Sequence, residues 1–282
     1  MTTALLVLVL SRPTPAPSWE KVYERPDKKG MLAVWADERG WFASGPGLLL
    51  SADASGTHPE EIGERTVVGF SGANRAQLFA FGWDELIFHR SGDKWVEEHR
   101  ALGPPQGGKG KKDPRDNDDL IQSVVPLPGK PAPQVTAIGP KLVLVRNPEE
   151  FWQMLPDAER QALSTLARSG PAGVLPAGCA LASWSWVAKE RAVFSCHDGR
   201  GFVFAAGKPA PTGKLPRACK QGLDHARVRG TEAHTLCAGQ LWQSDGTRWR
   251  QVPGPGKLRD YAFTDRCLYA VTERAVWRRC SP

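Results

Sequence analysis

The chain has 282 residues, a length that one large all-β domain or two ordinary domains can fill. Its 29 Gly, 24 Pro and 11 Trp suit short strands joined by tight turns, with tryptophan filling the space between sheets, and exclude a protein of long helices. The formal charge of +7 is scattered, and the one basic cluster (Lys109, Lys111, Lys112, Arg115) runs straight into Asp116, Asp118 and Asp119 without an aromatic residue among the bases, which argues for a solvated loop and against a nucleic-acid partner.

Ala4 to Leu10 is an unbroken apolar run, too short to cross a bilayer but within the range of an export-signal core. Pro13, Pro15 and Pro17 then stop any helix. No Lys or Arg precedes the run and the processing site around Ala16 is poor, two defects that a missing piece of N-terminus explains; the competing reading is a buried first strand. Residues 1–17 are accordingly expected to be an export segment and 18–282 the folded domain, in a periplasmic or secreted location, with a cytoplasmic one as the alternative.

Trp19-Glu20-Lys21-Val22 opens that domain with a Trp, a polar middle and a Val, and the pattern returns at Trp249-Arg250-Gln251-Val252. Met31 to Ala36 and then Gly40 to Gly45, which holds Trp41, read as strands; Leu48 to Ser51 follows and runs into Asp53, Ser55 and Gly56, with His58 beyond the turn. After a strand at Thr66 to Ser71, Ile87-Phe88-His89-Arg90-Ser91-Gly92-Asp93-Lys94-Trp95 aligns without a gap with Leu241-Trp242-Gln243-Ser244-Asp245-Gly246-Thr247-Arg248-Trp249, at an offset of 154. Both copies read as a strand, a polar turn and a second strand that opens on Trp, and His58 stands where Trp95 and Trp249 stand.

Gly103 to Asp119 reads as a mobile Gly, Pro and Lys-rich loop, and Val135 to Ile138 as a strand. Asn147-Pro148-Glu149-Glu150 has an N-cap, Pro at the first helical position and acids in the first turn, while Leu163, Leu166 and Ala167 keep helical spacing. A short helical insert is expected over 147–168. Strands follow at Ala182 to Val187, His225 to Arg229 and Tyr261 to Thr264, and the chain ends on Cys267 to Val271 and Ala275 to Arg278, where Trp277 matches Trp242.

The six strands that precede each outer motif start 35, 69, 47, 43 and 36 residues apart, near the period of a β-propeller blade once loop is removed from the long interval. The fold expected is therefore all-β, a single propeller of six blades with seven as the alternative. The repeat breaks off before the Trp-led strand that should follow Trp277, and the segment at Trp19 can supply it, so the ring closes through an N-terminal strand in the last blade.

All six cysteines lie in the C-terminal part, and the gaps Cys179 to Cys196, Cys219 to Cys237 and Cys267 to Cys280 suit bridges across neighbouring strands. That set is the simplest of the possible pairings. Free thiols in a cytosolic protein are the alternative, and the absence of a CxxC or of zinc-finger spacing disfavours a metal.

The turns resemble the Asp-box: Ser51, Asp53, Gly56 and Thr57 follow it with one extra residue, Ser244, Asp245, Gly246 and Trp249 in compressed form, and Ser91, Gly92, Asp93 and Trp95 in another. Its chemistry is local. Ser and Asp side chains bond to the turn backbone, Gly takes a positive φ and Trp packs on the hairpin, so these residues build structure and are not a site. The phrase Val34-Trp35-Ala36-Asp37-Glu38-Arg39-Gly40-Trp41-Phe42-Ala43-Ser44-Gly45 resembles the repeat of the bacterial neuraminidase-repeat propellers, including the photosystem II assembly-factor-like and sortilin-like branches. The resemblance implies a propeller fold and a protein-binding role outside the cytosol.

A sialidase-like glycosidase is the enzyme alternative, and it needs an arginine cluster and usually a Tyr activated by Glu. Tyr23 adjoins Glu24 and Tyr261 adjoins Asp260, but neighbours in a strand point to opposite faces, and Tyr269 has no such partner. The six histidines (His58, His89, His99, His197, His225, His234) fall singly, the acids from Asp113 to Asp119 lack the Gly and Glu of an EF-hand loop, and Gly103, Gly107, Gly108 and Gly110 lack the frame of a phosphate loop. No catalytic set, cofactor or metal is expected. The reading is a non-catalytic protein-binding or assembly propeller of the envelope or secreted space; a further alternative is a structural subunit that docks through Pro148 to Arg168 or Lys109 to Lys112.

Overall fold

The computed structural model describes residues 18–72, 74–100, 120–127, 134–139, 142–147, 149, 151–188, 190–219, 223–230 and 232–281. The expected export segment at 1–17 and loop at 103–119 lie outside them. Twenty-four strands form six four-stranded antiparallel sheets, so the ring has six blades and not seven. Blade 1 is β2 (Ala33–Asp37), β3 (Gly40–Gly45), β4 (Leu48–Asp53) and β5 (Gly56–Pro59); blade 2 is β6 (Val67–Ser71), β7 (Phe79–Gly82), β8 (Ile87–Ser91) and β9 (Lys94–His99). Blade 3 is β10 (Ser123–Leu127), β11 (Gln134–Ile138), β12 (Val143–Arg146) and β13 (Trp152–Met154). Blade 4 is β14 (Leu181–Ala188), β15 (Arg191–Cys196), β16 (Arg200–Ala205) and β17 (Lys208–Lys214); blade 5 is β18 (Asp224–Arg229), β19 (Glu232–Cys237), β20 (Gln240–Ser244) and β21 (Trp249–Val252).

Blade 6 runs β22 (Asp260–Phe263), β23 (Cys267–Val271), β24 (Ala275–Cys280) and then β1 (Glu20–Glu24) from the other end of the chain. The equivalence of Trp19 and Trp249 holds to the residue. Trp249 lies two before Gln251, the partner of Trp242, and Trp19 lies two before Lys21, the partner of Trp277. The closure is fixed from both ends, since Trp19 Nε1 donates to Pro253 O at 2.8 Å and Arg279 lies over the Trp19 ring at 5.1 Å.

An antiparallel sheet needs two covered faces to become a blade, and each blade obtains them from its neighbours. Six apolar clusters result, one in every gap of the ring. Phe42 and Leu49 meet Phe70 and Phe88 between blades 1 and 2, for example, and Val34 and Trp41 meet Ala262 and Val276 between blades 1 and 6. On the face that carries the turns between first and second strands, polar links join successive corners. Arg191 Nη2 donates to Gly230 O at 2.6 Å, Arg229 Nη2 to Asp265 O, Asp265 N to Glu38 Oε1 at 2.7 Å, and Arg75 Nε to Asp37 Oδ2 at 2.9 Å. This chain of contacts runs through blades 4, 5, 6, 1 and 2. The opposite face carries the connections between blades and the turns between second and third strands; we call it the connection face.

Two expectations need correction. Val135 to Ile138 is not an innermost strand; it lies within the second strand of blade 3, and the innermost is β10, with Pro126 in its middle. Proline has no N–H to give a ladder, which hid this segment, but an innermost strand has one free edge where proline is tolerated. The helix start at Asn147 also fails. Asn147 instead closes a turn, accepting from Phe151 N on Oδ1 at 2.8 Å, and Trp152–Met154 is the outer strand of blade 3. The helix of the insert, α1, spans Asp157–Ser169; Leu163, Leu166 and Ala167 pack against Trp184 and Trp186, and Trp186 Nε1 donates to Leu166 O at 3.0 Å.

The cysteines pair as Cys179–Cys196, Cys219–Cys237 and Cys267–Cys280, and no cysteine is free. The first two bridges are equivalent. Each joins the last residue of a second strand to the connection that enters the same blade, in blades 4 and 5. The third is a cross-strand pair in blade 6, where Cys267 and Cys280 stand opposite one another.

Candidate binding site

The connection between blades 1 and 2 runs from Glu60 to Thr66, and its course is fixed by its ends. Glu60 N donates to Leu49 O at 2.9 Å and the Glu60 carboxylate takes Arg90 Nη1 at 2.9 Å. Gly47 N donates to Arg65 O at 3.1 Å, and Pro46 and Thr66 form an isolated bridge. A Cβ on Gly82 would stand 2.0 Å from Thr66 O, so glycine is what lets the connection lie against the corner of blade 2. That corner then turns tightly. Asp84 and Glu85 both take left-handed backbone, with φ of 58° and 54°, and Leu86 N donates to Trp83 O.

Between this connection and blade 2 lies an open cleft of about 580 Å³. Ile62, Leu86 and Phe88 form its apolar floor, Trp83 and Trp95 are aromatic walls, and Glu61, Glu64, Asp84 and Glu97 face Arg65 as its charged groups. Trp95 is held edge-on against Phe42 at 5.5 Å, with Arg90 over its ring at 5.3 Å. Arg65 stands 3.9 Å from Glu97, while Glu61, Glu64 and Asp84 have no ion pair among the described residues. Four carboxylates thus meet one guanidinium on a chain whose overall charge is positive. Sequence reasoning missed this cleft because its residues come from a connection, a turn and the two outer strands of blade 2, and the two that belong to a motif, Phe88 and Trp95, read as blade structure.

The Asp-box-like residues stand in turns on the opposite face. Asp53 accepts from Ser55 N at 2.8 Å, which with the Ser55 hydroxyl holds its carboxyl below the ordinary range. Asp245 does the same for Thr247 and Arg248, again with a lowered pKa caused first by the Thr247 hydroxyl. Gly56, Gly92 and Gly246 have φ of 132°, 61° and 91°, and a Cβ on any of them would meet nothing, so their role is conformational. Asp93 turns the hairpin between β8 and β9, Trp41 packs in the gap between blades 1 and 6 and Trp242 in the gap between blades 4 and 5, and Trp277 Nε1 donates to Thr272 Oγ1 at 3.2 Å. His58 Nε2 lies 2.9 Å from the Ser55 hydroxyl and 3.7 Å from Asp53, but Ser55 already donates to that aspartate, so the three make a closed turn and no activated nucleophile.

A second polar cluster ties the inner strands together. Asp260, 2% exposed at the start of β22, accepts Val34 N on Oδ2 at 2.9 Å and meets Arg227 Nη2 and His225 Nδ1 at 3.2 Å on Oδ1. Burial pushes its carboxyl up, but Arg227 and His225 outweigh that and bring it down to about 2. The neighbouring Tyr261 hydroxyl donates to His225 O at 2.7 Å, and burial raises its pKa, so Asp260 is not its base. Tyr23 packs on Trp41 while Glu24 pairs with Lys21.

Two further histidines are spent on structure, His89 on Glu98 at 3.0 Å, beside Arg146 and Trp152 on the same carboxylate, and His99 on Glu85 at 3.1 Å, while His197 is exposed. His234 is 3% exposed with its ring centroid 4.4 Å from that of Phe263, and its Nδ1 has no partner; burial first, then Arg229, lowers its pKa to about 4. Among the described residues, no group of three His, Cys, Asp or Glu could hold a metal ion, and no helix is long and apolar enough to cross a membrane.

No family model matches the chain, and no curated protein does. Solved structures do. The chain is similar to YCF48 from Cyanidioschyzon merolae, at 12% identity over 94% of this chain and 98% of that one, with a TM-score of 0.53. It is similar to PorZ of Porphyromonas gingivalis at 11% identity and a TM-score of 0.54, and there it spans 39% of the other chain. The WD40 propeller domain of Doa1 gives 8% identity, 93% and 97% coverage and a TM-score of 0.52. At these identities the likeness concerns architecture alone, and it is that of a β-propeller.

Proposed function

We propose that this chain is a non-catalytic protein-binding or assembly propeller of the secreted or cell-envelope space. The observation that carries the reading is the cleft on the connection face: it is open, aromatic and rigidly framed, and it offers unpaired charge with no arrangement of nucleophile, base and orienting group. Three disulfides suit an oxidising compartment, and residues 1–17 are proposed as the export segment. PorZ, a bacterial surface component of a secretion system, carries the same architecture, and the neuraminidase-repeat pattern around Trp35 and Trp41 points the same way.

The test is photo-cross-linking in the native host, with the reactive residue placed at Trp83 in one strain and at Ser55, on the opposite face, in another. A discrete protein adduct from either position supports the reading. Absence of any adduct from both would overturn it. Alkylation without reductant should label no thiol, and six alkylated cysteines would refute the oxidising compartment.

A further inference from the structure

We infer that the cleft between the Glu60–Thr66 connection and blade 2 receives a basic, partly apolar segment of a partner protein, seating a lysine or arginine side chain between Trp83 and Trp95. The inference rests on the protein-binding reading and specifies the chemistry of the partner. Three features of the site select this occupant. Glu61, Glu64 and Asp84 carry charge that no cation among the described residues neutralises. A group with a cationic end and an aliphatic stem satisfies both these carboxylates and the Trp83 indole, which attracts a cation through its ring quadrupole, while the stem packs on Trp95, whose ring Arg90 already covers. The floor of Ile62, Leu86 and Phe88 is buried and apolar, so a neighbouring leucine-like side chain gains by covering it.

Other occupants fit less well. The acids do not stand together as metal ligands, which disfavours an ion as the occupant. An acidic or nucleic-acid partner would meet like charge. The walls are also set in advance: the Gly82 contact to Thr66 O and the packing of Trp95 on Phe42 leave little to order on binding.

The experiment uses the whole purified chain and fluorescein-labelled dodecapeptides in anisotropy titrations: one alternating Lys or Arg with Leu, one alternating Glu with Leu, and one alternating Lys with Gly. The Lys/Arg–Leu peptide should bind, the Glu–Leu peptide should not, and the Lys–Gly peptide should bind about tenfold more weakly than the first. Glu61→Gln with Glu64→Gln, and separately Trp83→Ala, should each weaken binding about tenfold. Glu159→Gln with Glu190→Gln, on exposed sites elsewhere, should leave it unchanged. Thermal melts establish that each variant is folded.

Equal binding by all variants, or by the acidic peptide, overturns the inference. So does a dimer in sedimentation that the cleft substitutions dissociate, because the occupant would then be a second copy. Cross-links from the Trp83 position that survive Glu61→Gln with Glu64→Gln would refute this site while leaving the protein-binding reading intact; absence of cross-links from both positions would remove both.

Discussion

His234 gives the chain a defined sensitivity to acid. In the folded protein its ring is buried against Phe263 with Nδ1 unpartnered and Arg229 nearby, so it stays neutral until about pH 4, whereas an unfolded histidine takes a proton near 6.5. Between those values the unfolded state binds the extra proton. Stability is therefore fully present above pH 6.5 and is lost as the pH falls towards 4, below which no more is lost from this group. Linkage puts the loss at pH 5 at about 2 kcal/mol. The assay is urea unfolding at pH 7.5, 6 and 5 of the wild-type chain and of His234→Phe and His234→Leu, with disulfides intact. The difference in stability between wild type and variant should narrow by about 2 kcal/mol from pH 7.5 to 5. Parallel curves for wild type and both variants would show that His234 is not held neutral, and would refute the reasoning.

Removing Asp260 should be costlier and insensitive to pH in that window. Asp260→Ala strands Arg227 and the Val34 N–H and should cost roughly 3–5 kcal/mol, with Asp260→Asn nearer the lower end, read by urea midpoints at pH 7. Replacing both Cys219 and Cys237 by Ala releases a loop of 18 residues and should lower unfolding free energy by about 3 kcal/mol. Gly82→Ala would bring Cβ to 2.0 Å from Thr66 O; a fall in stability of about 1–3 kcal/mol and weaker binding at the cleft should follow together. A chain begun at Asp27 lacks β1 and leaves β24 as an exposed edge, so it should aggregate or lose its single cooperative transition in calorimetry.

Much of the architecture was legible because it rests on local signals. Trp95 and Trp249 sit at equivalent places in their blades, and the register of Lys21 on Trp277 places Trp19 with them. The disulfides were legible for the same reason, since each bridges residues that are close along the chain. Blade 3 was misread where local signals mislead: Pro126 weakened a true strand, and Asn147 read as a helix start where it closes a turn. The cleft could not be read at all. Glu61 and Glu64 look like any polar connection until the ring sets them facing Trp83 and Trp95.

By itself the sequence determined the repeat, the closure and the cysteine pairs, because blade period, alternation and turn chemistry act over a few residues and are written where they act. Only the tertiary structure decided which charges are buried and which are left unpaired. Asp260 is held by groups 226 and 33 residues away, and Glu61 has no cation paired with it among the described residues. Such long-range electrostatics depend on distances that a ring of blades creates, and no local pattern encodes them.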